Sequence, residues 1–226
     1  MQTMQRTVLE GARSLDAAAD AKPEGLRERK RRETRDATQR AAIALGLEHG
    51  WDAVTVEMIC GAAGISPRTF YNYFPSREAA VLGEGKPMPD EAQVAAFVSA
   101  TGVSDVEAFA VMMAEVWTVA EPDRELFRQR RALLDATPEL AAANMMRITE
   151  ARAQYATIVR QRLDATRPGL SDDDAETEAA MAVSIAMGVL QVVARGWLAG
   201  DVDAPLAALI HHYFPRVRRL TQVPTA

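Results

Sequence analysis

Arg68, Thr69, Tyr71, Asn72 and Tyr73 stand almost consecutively in the chain, interrupted by Phe70 and followed by Phe74. The two phenylalanines are four positions apart, the spacing of side chains that share one face of a helix. Stepped at about 100° per residue, Arg68 and Asn72 point directly away from that face, and Thr69, Tyr71 and Tyr73 lie on its flanks. The chemistry such an outer surface offers is hydrogen bonding to nucleic acid. Arginine can read a guanine edge, asparagine an adenine edge, and tyrosine and threonine hydroxyls suit phosphate oxygens. An ordinary core accounts for Phe70 and Phe74. It does not account for two tyrosines, an arginine and an asparagine on the outside.

These side chains need a short, firmly ended helix to hold them. Ser66 is placed to cap it, and Pro67 takes the first helical position, where a missing N–H costs nothing. Pro75 stops it and Ser76 caps the next helix. Upstream, Thr55 caps an earlier helix, and Val54 with Ile59 has the spacing of a hydrophobic staple. Val56, Ile59, Cys60 and Ala63 form one apolar face, and Gly64 ends that helix by taking positive φ. Two short capped helices joined by a glycine turn make a helix-turn-helix unit. Arg68 and Arg77 each sit in the first turn of a helix, where a cation opposes the dipole by about 0.3–1 kcal/mol. A phosphate at those helix ends would reverse the sign.

With AIALGLEHGWDAVTVEMI before it, the segment GAAGISPRTFYNYFPSREAAV resembles the DNA-binding domain of the TetR family of bacterial transcriptional regulators. The resemblance covers roughly Arg27 to Leu82. It implies an all-α chain, with a three-helix DNA-binding domain followed by a helical ligand-binding and dimerisation domain. By position, Pro67, Arg68, Thr69, Tyr71, Asn72 and Tyr73 match the family's recognition-helix contacts. Thr55 matches a phosphate contact at the start of the second helix, and Arg77 stands where a phosphate-touching lysine is usual. Two positions depart from the pattern. Gly46 replaces a usual Phe, and Gly61 a usual charged residue; a glycine inside a helix costs about 1 kcal/mol relative to alanine.

The wider composition fits a helical regulator. The 226 residues allow one or two domains, and abundant alanine favours helix over strand. The lone Cys60 lies on the inner face of its helix and reads as a small core residue in a reducing compartment. The net charge of −5 divides unevenly. Residues 25–86 hold ten Lys/Arg against eight Asp/Glu, whereas everything from Pro87 onward holds thirteen against nineteen. The basic part therefore coincides with the reading head, and the acidic part should face away from DNA. Met1 to Ala21 has no apolar core of a signal peptide, and the uncharged run Ala179–Ala194 is short for a bilayer. A cytoplasmic protein with no membrane partner is expected.

Taken in order, residues 1–24 read as a disordered extension. LRERKRRETR then places six basic residues between Arg27 and Arg35, suited to phosphate attraction. The head is expected over 25–82, with its first helix from Arg27 to His49. Gly83, Gly85, Pro87 and Pro89 predict a hinge over 83–90. A helical body is expected over 91–216, with helices near 90–100, 104–120, 122–136, 138–166, 172–199 and 204–214, and a tail over 217–226. The two longest, 138–166 and 172–199, are apolar enough to pack against their copies as a four-helix homodimer interface, the arrangement the resemblance also implies. A two-fold dimer would read a pseudo-palindromic double-stranded operator.

No constellation for catalysis or metal binding competes. Asp172, Asp173 and Asp174 complement a helix N-terminus. His211 and His212 are about 100° apart on a helix and do not chelate together. Neither a phosphate loop nor a nucleophile elbow occurs, so no enzyme, cofactor or metal is expected. Met113, Trp117, Phe127, Met145, Tyr155 and Met187 could line an adaptable apolar pocket, though residue by residue a core is their commoner use and the pocket rests mainly on the resemblance. The surroundings of the motif resemble family members whose C-terminal domain binds acyl-CoA-like ligands; Arg128, Arg130, Arg131, Arg147 and Arg152 would then be available to a head group. The expected function is a repressor released from its operator by a small apolar ligand. A DNA-binding or protein-interaction regulator with no small-molecule switch is the alternative.

Overall fold

The computed structural model describes residues 25–83, 87–120, 122–200 and 204–221. The extension expected over 1–24 lies outside them, as do the middle of the expected hinge and the last five residues. The chain is all-α, and no strand occurs among the described residues. The head contains α1 (Leu26–His49), a 3-10 turn (Trp51–Ala53), α2 (Val56–Ala63), α3 (Pro67–Tyr73) and α4 (Arg77–Leu82). The body contains α5 (Glu91–Ser99), α6 (Asp105–Ala120), α7 (Arg124–Ala136), α8 (Pro138–Thr166), α9 (Asp172–Leu198) and α10 (Leu206–Thr221).

Side-chain caps end the short helices where the sequence places them. Thr55 accepts from the Met58 amide at 3.3 Å, Ser66 from Thr69 at 3.1 Å and Ser76 from Ala79 at 3.2 Å. Each satisfies an amide that has no partner inside its helix. Gly64 takes the left-handed conformation, φ 66° and ψ 34°, that turns the chain from α2 toward α3. At the start of the body, Asp90 and Gln93 form a reciprocal capping box for α5.

Two apolar cores result. Ala42, Ile43, Trp51, Ile59, Phe70 and Phe74 close the head, but Leu126, Leu133 and Leu134 of α7 and Leu140 of α8 belong to the same cluster. The three leucines of α7 fall at i, i+7 and i+8, one stripe of a helix. Burying each such side chain favours the fold by about 1.5–3 kcal/mol. Gly46 explains the closeness of α1 and α7. A Cβ there would stand 2.8 Å from one methyl of Leu133 and 3.2 Å from the Trp51 ring. The departure at Gly46 is thus a packing requirement. Nothing in the structure explains Gly61, whose missing side chain faces open space. At the rim of the same contact, Arg40 of α1 pairs with Asp123, the cap of α7, at 3.1 Å.

The second core is built by α6, α8, α9 and α10, with α5 laid across it. Phe109, Met113, Tyr155, Leu163, Leu190 and Ile210 are among its most buried members. Arg162, only 3% exposed, is its main polar fastening. Its guanidinium pairs with Asp105 at 2.8 Å and donates to the carbonyls of Phe97 at 2.6 Å and Ala100 at 2.8 Å. Those carbonyls close α5, so a buried cation meets the negative end of a helix. By length and composition α9 could cross a membrane. Ala182, Val183, Ala186 and Leu190 instead form the spine of this core.

The last helix differs from expectation. The sequence predicts it near 204–214; α10 continues through Pro215 to Thr221. A proline inside a helix removes one backbone bond and favours a break. Here buried Glu107 of α6 holds both sides of the proline, at 3.0 Å from His211 and 2.9 Å from Arg218. The segment expected as a tail from 217 therefore begins as helix.

Candidate nucleic-acid interface

The outer face of α3 has the composition and placement that its spacing predicts. Phe70 and Phe74 are buried beneath it, while Pro67, Arg68, Tyr71 and Asn72 are exposed. Thr69 and Tyr73 are partly buried on its flanks. The Tyr71 ring leans edge-on against Phe70, with centroids 5.4 Å apart, which leaves 58% of the residue exposed on a firm base. Such edge-to-face pairs are favourable and restrict the ring. Thr69 is tied into the cap, its hydroxyl 2.8 Å from that of Ser66. Thr55 is exposed at the start of α2.

The basic run contributes through geometry that sequence spacing could not supply. Arg27, Arg29, Lys30, Arg31 and Arg32 are exposed on the first turns of α1. The Arg31 guanidinium stands 6.0 Å from the centre of the Tyr73 ring. The start of α1 thereby lies beside the end of α3, and the two form one cationic, hydrogen-bonding surface. The run of six basic residues pointed to phosphate, but nothing in it singled out Arg31.

Arg77 has a different setting from the phosphate contact expected. Its Nη1 donates to the carbonyl oxygens of Trp51 at 3.0 Å and Val54 at 2.5 Å. Its Nε donates to Glu78 at 2.9 Å, and its guanidinium lies 4.8 Å from the centre of the Trp51 ring. The side chain is thus turned against the head.

The six residues expected around a pocket are not all brought together. Met113, Tyr155 and Met187 are buried in the body core, and Trp117 and Phe127 pack against it. Trp117, Phe127 and Trp197 make successive edge-to-face contacts at 6.3 Å. Met145 is 54% exposed and separate from them, because it faces outward from α8. Two shallow surface concavities occur in the body. One lies on α9 and is lined by Ala180, Met181 and Ile185 among others; the second lies between α5 and α8, beside Val94, Val98 and Ile158. Neither is lined by any of the six.

Tyr155 has a further contact. Its hydroxyl donates to the Pro87 carbonyl at 3.0 Å, joining the body core to the segment that leads out of the head. Burial pushes its pKa up to about 12. Of the arginines considered for a head group, Arg128 is bonded to Glu125 and Arg131 to Asp135, neighbours on their own helix. Burial, with Arg147 nearby, pushes the Arg130 guanidinium down to about 10, so it remains charged at neutral pH. Among the described residues no group of His, Cys, Asp and Glu is arranged to hold a metal.

Comparison with known proteins agrees with this arrangement at both ends. Residues 40–82 match the family described as bacterial regulatory proteins, tetR family, and residues 103–222 match the MftR C-terminal domain. The HTH-type transcriptional regulator TcmR of Streptomyces glaucescens is 35% identical over 188 residues, which span 79% of this chain and 80% of that protein. Among solved structures, Thermus thermophilus FadR in complex with lauroyl-CoA overlaps 85% of this chain and 97% of its own, at 21% identity and a TM-score of 0.42. The fatty acid degradation regulator FadR of Bacillus halodurans overlaps 84% and 93%, at 17% identity and a TM-score of 0.43. At those scores neither structure bears on ligand or operator.

Proposed function

This chain belongs to the TetR family, whose members are transcriptional regulators and not enzymes, and on that premise we propose that it is a homodimeric repressor released from its operator by a small apolar ligand. The observation that carries the DNA-binding part is the outer face of α3. Arg68, Tyr71 and Asn72 are exposed on a helix whose opposite side, Phe70, is fully buried. In this reading Arg68 and Asn72 read base edges, while Thr55, Thr69, Tyr71 and Tyr73 meet phosphate and Pro67 sets the approach of the helix start. The head spans 25–82, 83–90 is the hinge, and the body over 91–216 binds ligand and forms the dimer.

The dimer is supported by apolar side chains left exposed on the two longest helices. Met145 and Met146 of α8 and Met181, Ile185 and Val192 of α9 are all at least 45% exposed. Covering them with a second copy would bury apolar surface and place two reading heads on one pseudo-palindromic site. The ligand would favour a geometry in which the two heads no longer fit successive grooves, through differential affinity for the two states. An acyl-CoA-like ligand is the class to test first, on the likeness of the motif's surroundings to such members. The protein acts in the cytoplasm.

Selection of bound sequences from random DNA, followed by mobility shifts, tests the first part. A pseudo-palindrome bound two chains at a time is expected, whereas no enrichment would overturn it. Thermal-shift screening with acyl-CoAs, fatty acids and hydrophobic drugs tests the second. Stabilisation accompanied by loss of operator binding is expected. A second reading, a regulator with no small-molecule switch, is favoured by one observation: Met113 and Tyr155 are fully buried in close packing. An absence of stabilising compounds would select it.

A further inference from the structure

The contacts of Arg77 tie together parts of the head that the chain separates. Arg77 opens α4, while Trp51 and Val54 bracket the turn between α1 and α2. Val54 immediately precedes Thr55, whose hydroxyl caps α2. Two carbonyls of that turn accept from one Nη1, Nε is held by Glu78, and the Trp51 ring lies against the guanidinium. Three of the five N–H groups of the arginine are thereby committed inside the head. Its side chain is 31% exposed. A planar fork that stacks on an indole and bridges two carbonyls is specific to arginine; a lysine ammonium is a point charge that cannot do both.

We infer that Arg77 is a positioning residue for DNA binding, which fixes the 51–54 turn and thereby the exposed start of α2 at Thr55, and is not itself a phosphate contact. This rests on the reading of the head as DNA-binding. The role is distinct from charge donation because it acts through the placement of another residue.

The test uses the full chain and a DNA site obtained by selection, with affinity measured by fluorescence anisotropy over a range of salt concentrations. Measurements are made well below the unfolding midpoint of each variant. Arg77→Ala is expected to weaken binding about tenfold while leaving the slope of log affinity against log salt unchanged, since the contact disturbed, at Thr55, is uncharged and no cation leaves a phosphate. Arg77→Lys should lose affinity too, because it keeps the charge but not the fork. In a Thr55→Ala background the effect of Arg77→Ala should shrink to less than about threefold, as expected for residues acting on one contact. A merely structural role would lower the unfolding midpoint, leave the affinity of folded molecules unchanged and add independently to Thr55→Ala. Either that pattern or a shallower salt slope in Arg77→Ala with full rescue by Arg77→Lys overturns the inference. Should Arg77→Ala not fold, Arg77→Lys alone decides: wild-type affinity overturns the inference and loss at constant slope supports it. If the unaltered chain enriches no DNA, the reading of the head itself fails, an outcome separate from all of these.

Discussion

The head and the body of this protein close their cores in different ways. The head gathers Trp51, Ile59, Phe70 and Phe74, yet its cluster is completed by Leu126, Leu133, Leu134 and Leu140 from the body. The body closes around Phe109, Tyr155 and Leu190 with its own helices. It carries its polar fastenings inside, Arg162 at the end of α5 and Glu107 beneath α10. Helix α7 therefore has two allegiances. Leu133 packs in the head while Phe127 packs against Trp117 and Trp197 of the body. A displacement of α7 is felt in the head as a change in core packing, whereas the body core does not depend on the head to be complete.

Five substitutions probe that asymmetry, beginning with the largest effect. Arg162→Ala leaves the end carbonyls of α5 without their donor, while Asp105 keeps its pair with Arg167; it should destabilise the body by about 3–5 kcal/mol, at about 1–3 kcal/mol for each carbonyl left unpaired with the lost packing of the arginine stem added. Urea unfolding would show it. Operator affinity measured below the transition should stay within about twofold of wild type if the cores are separate; a matching loss would break the comparison. Leu133→Ala should cost about 2–5 kcal/mol and, unlike the first, weaken DNA binding even where the chain remains folded. Gly46→Ala adds a methyl against the same side chain. Overpacking of about 1–3 kcal/mol is partly offset by about 1 kcal/mol of helix propensity. Combined with Leu133→Ala, the new methyl occupies part of the space vacated, so the two costs should fall short of their sum in a double-mutant cycle.

Tyr155→Phe has a smaller effect and a pH signature. Loss of its bond to the Pro87 carbonyl should cost about 0.5–1.5 kcal/mol. The hydroxyl, pushed up to about 12 by burial, ionises less readily in the folded chain than in the unfolded one, where its pKa is about 10. Its contribution is fully present below about pH 10 and is lost as pH rises through about 12. Alkaline unfolding should therefore be shallower in Tyr155→Phe over that window, as read by circular dichroism. The smallest effect belongs to Arg40→Gln, which removes an exposed pair across the rim between head and α7. About 0.2–1 kcal/mol is expected, decreasing with added salt, as urea midpoints at low and high ionic strength would reveal.

Sequence gave access to these regions unequally, for physical reasons. The caps at Thr55, Ser66 and Ser76, the left-handed Gly64 and the buried pair Phe70 and Phe74 are local features, determined by residues within one turn. They were legible in full. The ends of α8 and α9 were legible too, because Pro138 and Ser171 mark them. Gly46 was visible only as an anomaly, since its reason lies at Leu133, far along the chain. Arg162 carried no local signal, because the groups it satisfies come from another helix end. Pro215 misled for the same reason: a distant glutamate holds the helix together around it. Met145 shares its type with the other pocket candidates, and only the rotation of α8 places it outside.

The missing side chain at Gly46 has a consequence for anyone wishing to recombine regulators. A head transplanted onto a foreign body by a cut between α4 and α5 would arrive with an open notch beside Trp51 and no leucine to fill it. A foreign head with a bulky residue at the same place, set on this body, would collide with Leu133. The workable splice carries α7 along with the head, or redesigns Gly46 and Leu133 as a matched lock and key. Interchangeability of parts in this chain is therefore decided by the fit of one residue pair as well as by where the chain is cut.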